Sequence, residues 1–423
     1  MEKYFNTISD GVTFTAVKTD KSKYDLLTVN FLLPLTRENA AFSALLTAVI
    51  NRGTVKYPDM RSFAIAQEEL YAATAEAYNR VLGECISITF SVSGINKAYT
   101  MGNEDITESL LELLHQMIFC PLVTDGGFNS EYVESEKKNQ IDIIRSRKDN
   151  KSSYAVSRCI EIMCKKEAYS VCSDGKEEDV KKINGKNLLE FYKKVIKTAP
   201  VHVVFTGNAE EKEIEEKVRS LLPLCADRNS VPKTKIIKKA LKTTYRTEKM
   251  KISQSKLCIG YRTGISLGEK DWLKFLVFDE IFAASATSKL FMNVREKMSL
   301  CYYCSPVPQS VKGILVITAG INARDKDKAL EAINKQLEDM RNGEFSETEF
   351  NTAVKSIKSS FRSVTDNIRG MNSFYLSRFI AGIDISPKEA EKLMDNVTRE
   401  DVIACARNIT ADTVYFLEGG NEE

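Results

Sequence analysis

Apolar stretches with the character of buried strands alternate along this chain with longer segments of helical periodicity. The stretch "LLTVNFLLPL" (26–35) predicts a strand, and the apolar spacing of "TRENAAFSALLTAVINRGT" (36–54) predicts a helix directly after it. Thr36 has the side-chain oxygen expected of an N-cap, and Gly53 is the residue type expected at the C-terminal cap. Further along, the apolar run "VHVVFTG" (201–207) predicts another core strand.

The second half of the chain repeats this order of elements. There, "SKLCIGYRTG" (255–264) predicts a strand and "EKDWLKFLVFDEIFAA" (269–284) predicts a helix. The stretch "FNSEYVESEKKNQIDIIRSRKDN" (128–150) resembles "FSETEFNTAVKSIKSSFRSVTDN" (345–367), which lies 217 residues later, and a strand ending in Gly-Ile-Asn recurs after 226 residues. Two ordered matches at nearly equal separations indicate a duplication into two tandem domains, because a solenoid would have a far shorter period.

The predicted fold class is therefore α+β, with two tandem homologous domains. Each is expected to be a mainly antiparallel sheet with helices packed on one face. Residues 1–225 form the predicted N-terminal domain and residues 251–423 the C-terminal domain. The intervening stretch 226–250 is rich in lysine, contains no glycine and has no clear apolar period in its first half, so we expect a solvated linker.

Composition and charge narrow the classes of function. The 423 residues are 43% hydrophobic and 28% charged, which is ample for a globular core, and no apolar stretch is long enough to span a bilayer. A formal net charge of +2 gives no reason to expect nucleic acid or a membrane surface as a partner. The N-terminus lacks the pattern of a signal peptide, so we expect a cytoplasmic protein whose ten cysteines are free and mostly buried.

The chain contains two histidines, His115 and His202. Neither has a metal-ligand partner at helical spacing, because positions 111 and 119 are Leu and Phe. His202 lies in a predicted core strand and His115 in the amphipathic stretch "ESLLELLHQMIF" (108–119), so we expect packed or surface side chains. A serine or cysteine hydrolase would need one of them, yet the chain has no Gly-x-Ser-x-Gly elbow and no phosphate-binding glycine loop.

Four segments, in order along the chain, resemble the M16 (pitrilysin/insulinase-like) metallopeptidase family. They are "NRGTVKYP" (51–58), "FNSEYVESEKKN" (128–139), "VVFTGNAEEKEIEE" (203–216) and "SKLFMNVREKMSLCYYCSP" (288–306). The resemblance covers nearly the whole chain and implies paired α+β domains that enclose a substrate chamber. Active members bind zinc through His-x-x-Glu-His on a first-domain helix and a distal Glu; two histidines at i and i+4 share one helix face, and the intervening Glu is the general base.

The zinc motif itself is absent. When the chain is aligned on "RGT", the motif falls on residues 44–48, where this chain has Ala44 and Ala48 in place of the histidines and Thr47 in place of the glutamate. Alanine side chains cannot ligate zinc. The resemblance therefore implies a degenerate member that holds no cofactor of its own and is inactive when alone.

The distal zinc-binding glutamate of the family corresponds to Glu136. One carboxylate cannot hold a catalytic zinc by itself. The expected role of Glu136 is a solvated helix residue beside Lys137 and Lys138.

A second family feature is retained. Arg295 and Tyr302 match an Arg and a Tyr that contact the substrate carbonyl and the transition state in active members, so the resemblance implies a substrate-binding role for both. A guanidinium and a phenol can each donate a hydrogen bond to a carbonyl or an oxyanion. The alternative is an arginine paired with a nearby acid and a tyrosine that fills the core. Arg295 is expected at the edge of an apolar helix stripe formed by Leu290, Phe291, Val294 and Met298.

Two functional hypotheses follow from the resemblance. The first is a non-catalytic, peptide-binding subunit of a heterodimeric M16 zinc peptidase, in which a relative with an intact His-x-x-Glu-His motif supplies the zinc and this chain supplies Arg295 and Tyr302. More narrowly, the chain resembles a bacterial type linked by name to 5-aminopentanol modification of elongation factor P. The second is a stand-alone peptide-binding or scaffold protein, which would hold a peptide by strand addition at the hairpin "ATAEAYNRVLGECISITFSVSG" (73–94). A homodimer is a further alternative when the partner is absent.

The stretch "LCYYC" contains a Cys-x-x-Cys pair, Cys301 and Cys304. If it forms a strand, the two side chains point to opposite faces and lie roughly 10 Å apart along the chain. Such a pair could neither form a disulfide nor share a metal ion. The sequence therefore gives no function to the two cysteines.

Overall fold

The computed structural model describes residues 3–420. The chain forms two compact units, and each unit is built from three separate stretches of sequence. Unit 1 comprises Met1–Arg145, Val171–Lys233 and Ser363–Ile380. Unit 2 comprises Ser146–Ser170, Thr234–Arg362 and Ala381–Glu423.

Thirteen strands are present among residues 3–420. In chain order they are β1 (Lys3–Ser9), β2 (Val12–Lys18), β3 (Tyr24–Pro34), β4 (Thr74–Leu82), β5 (Cys85–Ile95), β6 (Val123–Thr124), β7 (Gly127–Phe128), β8 (Val201–Gly207), β9 (Thr244–Met250), β10 (Ser255–Arg262), β11 (Tyr303–Gln309), β12 (Ile314–Ile321) and β13 (Thr410–Gly419).

The α-helices among the same residues number fourteen. They are α1 (Arg37–Ile50), α2 (Met60–Glu69), α3 (Thr107–Phe119), α4 (Ser130–Ser146), α5 (Lys151–Met163), α6 (Glu177–Val180), α7 (Gly185–Thr198), α8 (Glu211–Leu221), α9 (Trp272–Asp279), α10 (Lys326–Arg341), α11 (Glu347–Val364), α12 (Ile368–Ala381), α13 (Pro387–Leu393) and α14 (Arg399–Asn408). Two π-helical segments, Glu280–Ala284 and Leu290–Lys297, follow α9.

The sheet of unit 1 has six strands in the order β1-β2-β8-β3-β5-β4. Its neighbours are antiparallel except for β2 and β8, which run parallel. One face buries apolar side chains such as Val29, Phe31 and Val203 in a core that it shares with α1, α3, α7 and α8. The strands predicted at 26–35 and 201–207 are thus confirmed as β3 and β8.

The sheet of unit 2 has five strands in the order β11-β12-β10-β13-β9. Only β13 and β9 run parallel. The prediction of an α+β fold built from mainly antiparallel sheets and packed helices is confirmed. The stretch predicted as a linker, 226–250, ends in β9, which pairs with β13 along Thr244–Met250.

Each sheet also carries one helix on its second face. In unit 1, α12 packs there, where the Asn372 side-chain amide donates to the backbone oxygen of Val204 at 3.1 Å and Thr28 Oγ1 donates to Asn372 Oδ1 at 3.1 Å. In unit 2, α5 packs on β10, β12 and β13, and Cys159 lies in a buried cluster with Cys258. Helix α5, from the first half of the chain, therefore belongs to unit 2, whose sheet comes from the second half. Helix α12, from the second half, belongs to unit 1, whose sheet comes from the first half.

The limits of α1 differ in part from the prediction. Thr36 caps its N-terminus, as predicted, because Thr36 Oγ1 accepts a hydrogen bond from Asn39 N at 3.1 Å. The C-terminal cap is Asn51 and not Gly53. Gly53 is required for space instead, since a Cβ there would lie 2.6 Å from the Pro58 carbonyl oxygen. No helix within residues 3–420 is long and apolar enough to cross a bilayer.

Candidate functional site

Helix α1 holds the three positions of the degenerate zinc motif. Ala44 and Ala48 are half-buried and have no atom that could ligate a metal. Thr47 is buried, and its hydroxyl lies 3.2 Å from the Ser43 carbonyl oxygen and 3.1 Å from that of Ala44, so it bonds to the backbone of its own helix. The zinc implied by the resemblance therefore does not fit the residues that this helix presents.

Glu136, on α4, is engaged by a cation. Arg52 Nη1 donates to Glu136 Oε1 at 2.9 Å, and Asn139 Nδ2 donates to the other carboxylate oxygen at 3.1 Å. Only 13% of the Glu136 side chain is exposed, and the Arg52 guanidinium also lies 4.9 Å from the centre of the Tyr132 ring. The prediction of a solvated Glu136 beside two lysines is wrong, because this face of α4 packs toward the residues that follow α1.

A metal centre elsewhere has no support from the described side chains. Within residues 3–420, no three His, Cys, Asp or Glu side chains are grouped so that they could hold a metal ion. The two histidines follow the sequence prediction. His115 is half-buried on α3, and its ring lies 5.3 Å from that of Phe119.

His202 is fully buried on β8 and stacks on Phe379 with ring centres 3.7 Å apart. Its Nδ1 lies 2.8 Å from the hydroxyl of Thr13. Burial lowers the pKa of His202 to about 3, so the ring is neutral in the folded protein. His202 is therefore a packing residue, as predicted.

Arg295 lies in the π-helical segment Leu290–Lys297. The segment ends with a bond from Met298 N to Asn293 O at 3.0 Å, the five-residue spacing of a π-turn. The Arg295 guanidinium lies over the Phe291 ring at 4.6 Å, and its Nε is 3.5 Å from Glu296 Oε1. Some 39% of the Arg295 side chain is exposed, so the guanidinium is supported on an aromatic face and remains accessible.

Tyr302 follows a sharp turn after that segment. Leu300 N donates to Val294 O at 3.1 Å, Ser299 has a left-handed φ of 51°, and Tyr302 N donates to Gly320 O at 2.9 Å. Tyr302 is 62% exposed, so the alternative of a core tyrosine is excluded. The predicted apolar stripe is also shorter than expected, since Leu290 and Val294 are fully buried but Met298 is 53% exposed.

Cys301 and Cys304, on either side of Tyr302, do not lie in one continuous strand. The chain bends at Tyr302 and β11 begins only at Tyr303, so the stretch "LCYYC" is not a continuous strand. Both residues are buried. The condition on which the predicted separation of the two sulfurs rested, a continuous strand, is therefore not met.

All ten cysteines are free, and seven of them are buried, as the sequence predicted. Burial raises the pKa of most of these thiols, for example that of Cys85 to about 12. Cys301 differs: its neighbour Cys304 and the charge of Arg295 lower its pKa against the effect of burial. The pKa of the Cys304 thiol is raised by its neighbour Cys301 and by burial.

A buried charge cluster in unit 2 had no signal in the sequence. Glu167, of whose side chain 3% is exposed, accepts hydrogen bonds from Arg262 at 2.6 Å and from Lys312 at 2.7 Å. Arg262 also donates to Asp412 at 2.9 Å. Burial would raise the pKa of Glu167, but the two cations together hold it below its ordinary value. Its members are far apart in sequence, so only the fold brings them together.

Comparisons with known proteins agree with this geometry. A family model described as the peptidase M16 inactive domain matches residues 182–357. The probable inactive metalloprotease YmfF of Bacillus subtilis (strain 168) is 30% identical over 414 residues, which is 97% of this chain and 96% of that protein. The chain belongs to the M16 peptidase family.

Two further comparisons are informative. The uncharacterized zinc protease YmxG of the same Bacillus subtilis strain is 22% identical over 293 residues, covering 68% of each protein. A conserved protein from Enterococcus faecalis V583 has a crystal structure that covers 100% of both chains, with a TM-score of 0.90 and 24% identity. The similarity to YmxG shows that the chain also resembles a protein named as a zinc protease. The similarity to the Enterococcus faecalis structure shows the fold alone. The loss of the zinc motif in α1 is thus the loss expected of an inactive M16 member.

Proposed function

We propose that this chain is a non-catalytic, peptide-binding subunit of a heterodimeric M16 zinc peptidase. In this proposal a partner chain carries an intact His-x-x-Glu-His motif and its zinc, and this chain contributes Arg295 and Tyr302. The pair works in the cytoplasm on a peptide or protein substrate. The narrower link to elongation factor P modification stays a prediction.

The observation that carries the proposal is the contrast between the two retained side chains and the lost motif. Tyr302 is 62% exposed. Arg295 keeps 39% of its side chain exposed, with one acidic neighbour at 3.5 Å. Neither side chain is needed to fill the core, so a role toward a ligand accounts for them better than a role in packing.

The chemistry of the two groups suits an amide substrate. An arginine held over an aromatic ring presents fixed N–H donors, and a phenol offers one O–H donor. Such donors stabilise the oxygen of a peptide carbonyl as it gains negative charge. Neither group can activate water without a metal, which accounts for the need for a partner. A relative with zinc-protease character exists in the same bacterium as an inactive one, as YmxG and YmfF illustrate.

The test mixes the purified chain with a purified M16 relative that has the intact motif, and follows cleavage of an internally quenched peptide. Turnover is expected only when both chains are present. Arg295→Ala and Tyr302→Phe should each lower kcat by about 100-fold, the size typical of a lost oxyanion donor. Arg324→Ala and Tyr245→Phe are matched controls, because both residues are exposed elsewhere in unit 2 and should leave turnover unchanged.

Other outcomes decide against the proposal. Equal turnover by the relative alone, or full activity of both variants, would refute it. Tight peptide binding without any turnover would favour the stand-alone binding protein. In that case β4, which lies at the edge of the unit 1 sheet as the first strand of the predicted hairpin, is where strand addition should be sought.

A further inference from the structure

A cavity in unit 1 is not used by the proposed peptidase function. It has a volume of about 470 Å³ and is lined by residues that follow α1, by the end of α3 and the residues after it, and by α7. Pockets that hold small molecules have volumes of roughly 300–1,000 Å³, so this one is large enough for a ligand. Most of its lining is apolar and comes from Val55, Phe119, Pro121, Val123, Leu189 and Tyr192.

Two of these apolar side chains remain in contact with water. Val55 is 65% exposed and Val123 is 40% exposed, whereas Leu189, which lines the same cavity, is only 5% exposed. Exposed apolar side chains that are grouped at a concave site are typical of a surface that binds a ligand. The cavity therefore favours a molecule with an apolar body.

The charged side chains that line the cavity are both lysines, Lys56 and Lys193. The Lys56 ammonium lies 3.6 Å from Glu112 Oε1 and 5.5 Å from the centre of the Tyr57 ring, so part of its charge is balanced. Lys193 is exposed on α7. Ammonium groups beside an apolar wall are complementary to a molecule that carries a negative charge at one end.

Hydrogen bonds hold the walls of the cavity in place. Val55 N donates to the Cys120 carbonyl oxygen at 2.9 Å, which ties the residues after α1 to the end of α3. The Tyr192 hydroxyl on α7 donates to the Ile118 carbonyl oxygen on α3. The cavity is thus formed before a ligand arrives, and a preformed site lowers the cost of ordering side chains on binding.

We propose that this cavity binds a small hydrophobic monocarboxylate. The apolar body of the ligand lies against Phe119 and Leu189, and its carboxylate is held by Lys193, with Lys56 as the second cation. The volume suits a small molecule rather than an extended peptide. A cationic molecule of the same shape would be repelled by the two ammonium groups.

Isothermal titration calorimetry of the full chain with octanoate tests the proposal. One octanoate per chain is expected to bind, and octylamine, which has the same length and the opposite charge, should bind at least roughly tenfold more weakly. A second readout locates the ligand, because Cys120 lines the cavity and its thiol is free. Octanoate should slow the alkylation of Cys120 by iodoacetamide, and should leave that of the exposed Cys225 unchanged.

Variants at the lining separate charge from shape. Lys193→Met should weaken octanoate binding roughly three- to fivefold and should not weaken the binding of neutral 1-octanol. Lys194→Met is the matched control, because this neighbouring exposed lysine on α7 does not line the cavity, and it should leave both affinities unchanged. Val123→Asp, a change at a half-exposed residue, should abolish saturable octanoate binding, because it adds a negative charge to the apolar wall.

Several results would overturn the proposal. They are the binding of many octanoate molecules per chain, equal affinity for octylamine, unchanged affinity in Lys193→Met, and no protection of Cys120. Displacement of octanoate by lower concentrations of the peptide Ala-Ala-Leu would assign the cavity to a peptide carboxyl terminus, and would also overturn the proposal. All measurements use this chain without a partner and without peptide turnover, so their outcome is independent of the proposed peptidase role.

Discussion

Arg52 Nη1 lies 2.9 Å from Glu136 Oε1, so the carboxylate that the sequence comparison matched to the family's distal zinc ligand is paired with a guanidinium. The two residues are 84 positions apart, and the pair ties the chain after α1 to α4 within unit 1. A charge-assisted hydrogen bond in this partly buried setting contributes about 1–2 kcal/mol to the free energy of unfolding. The pair therefore has a structural role in unit 1.

The first prediction concerns this pair. Arg52→Met and Glu136→Gln should each lower the free energy of unfolding by about 1–2 kcal/mol, and a double-mutant cycle from urea melts should give a coupling of about 1 kcal/mol. Lys137 and Glu134, three residues apart on the same helix and 2.9 Å from each other, are the control. Their coupling should stay near 0.3 kcal/mol. Equal coupling in the two cycles would contradict a special role for Arg52.

The second prediction concerns the buried cluster in unit 2. Glu167→Gln leaves Arg262 and Lys312 buried with one fewer negative charge, so it should lower the free energy of unfolding by about 3–5 kcal/mol. Urea denaturation followed by circular dichroism measures the change. Glu178→Gln, which breaks an exposed pair with Arg37, should leave stability unchanged. A mild effect of Glu167→Gln would show that water reaches the cluster.

The third prediction concerns acid stability. The pKa of His202 is about 3 in the folded protein and 6.5 when solvated, so the unfolded chain binds the extra proton between these values. The contribution of neutral His202 to the free energy of unfolding is complete above about pH 6.5 and is lost as the pH falls toward 3. At pH 5 the free energy of unfolding is lower by about 2 kcal/mol. His202→Gln should have a shallower pH dependence in this window, whatever its absolute stability. His115→Gln should keep the slope of the parent protein, and an unchanged slope in His202→Gln would refute the assignment.

The fourth prediction concerns Asp279, whose contribution to stability decreases as the pH rises. Burial, with a smaller contribution from Glu280, raises the pKa of Asp279 on α9 to about 7, against 3.8 for the solvated group. Its Oδ1 has no hydrogen-bond partner among the described residues. The contribution of protonated Asp279 to the free energy of unfolding is complete below about pH 3.8 and is lost as the pH rises through 7.

Asp279→Asn removes this titration. The variant should match the parent protein near pH 4 and exceed its free energy of unfolding by about 2–4 kcal/mol at pH 8, as measured by urea melts across this range. Asp271→Asn, a change at an exposed residue that begins the same helix, should show no such gain with pH. A constant difference between Asp279→Asn and the parent at all pH values would mean that Asp279 is solvated.

The sequence predicted the elements well where the signal was local. The helical period of 36–54 and the cap at Thr36 placed α1, and the apolar run 201–207 placed β8 with His202 inside. It failed at the turn before β11. There the five letters "LCYYC" have strand propensity, but the chain bends at Tyr302, where Leu300 N donates to Val294 O and Tyr302 N donates to Gly320 O, and no local pattern encodes these bonds.

By itself, the sequence determined which chemistry is absent, because alanine at positions 44 and 48 cannot bind zinc in any fold. It also determined the alternation of strands and helices, since apolar periodicity is carried by neighbouring residues. Only the tertiary structure decided that Arg52 meets Glu136, that the chain bends at Tyr302 before β11, and that Asn372 on α12 bonds to Thr28 on β3. Those contacts join residues distant in sequence or depend on a bend in the backbone, and they form only when the packing of whole elements brings the side chains together.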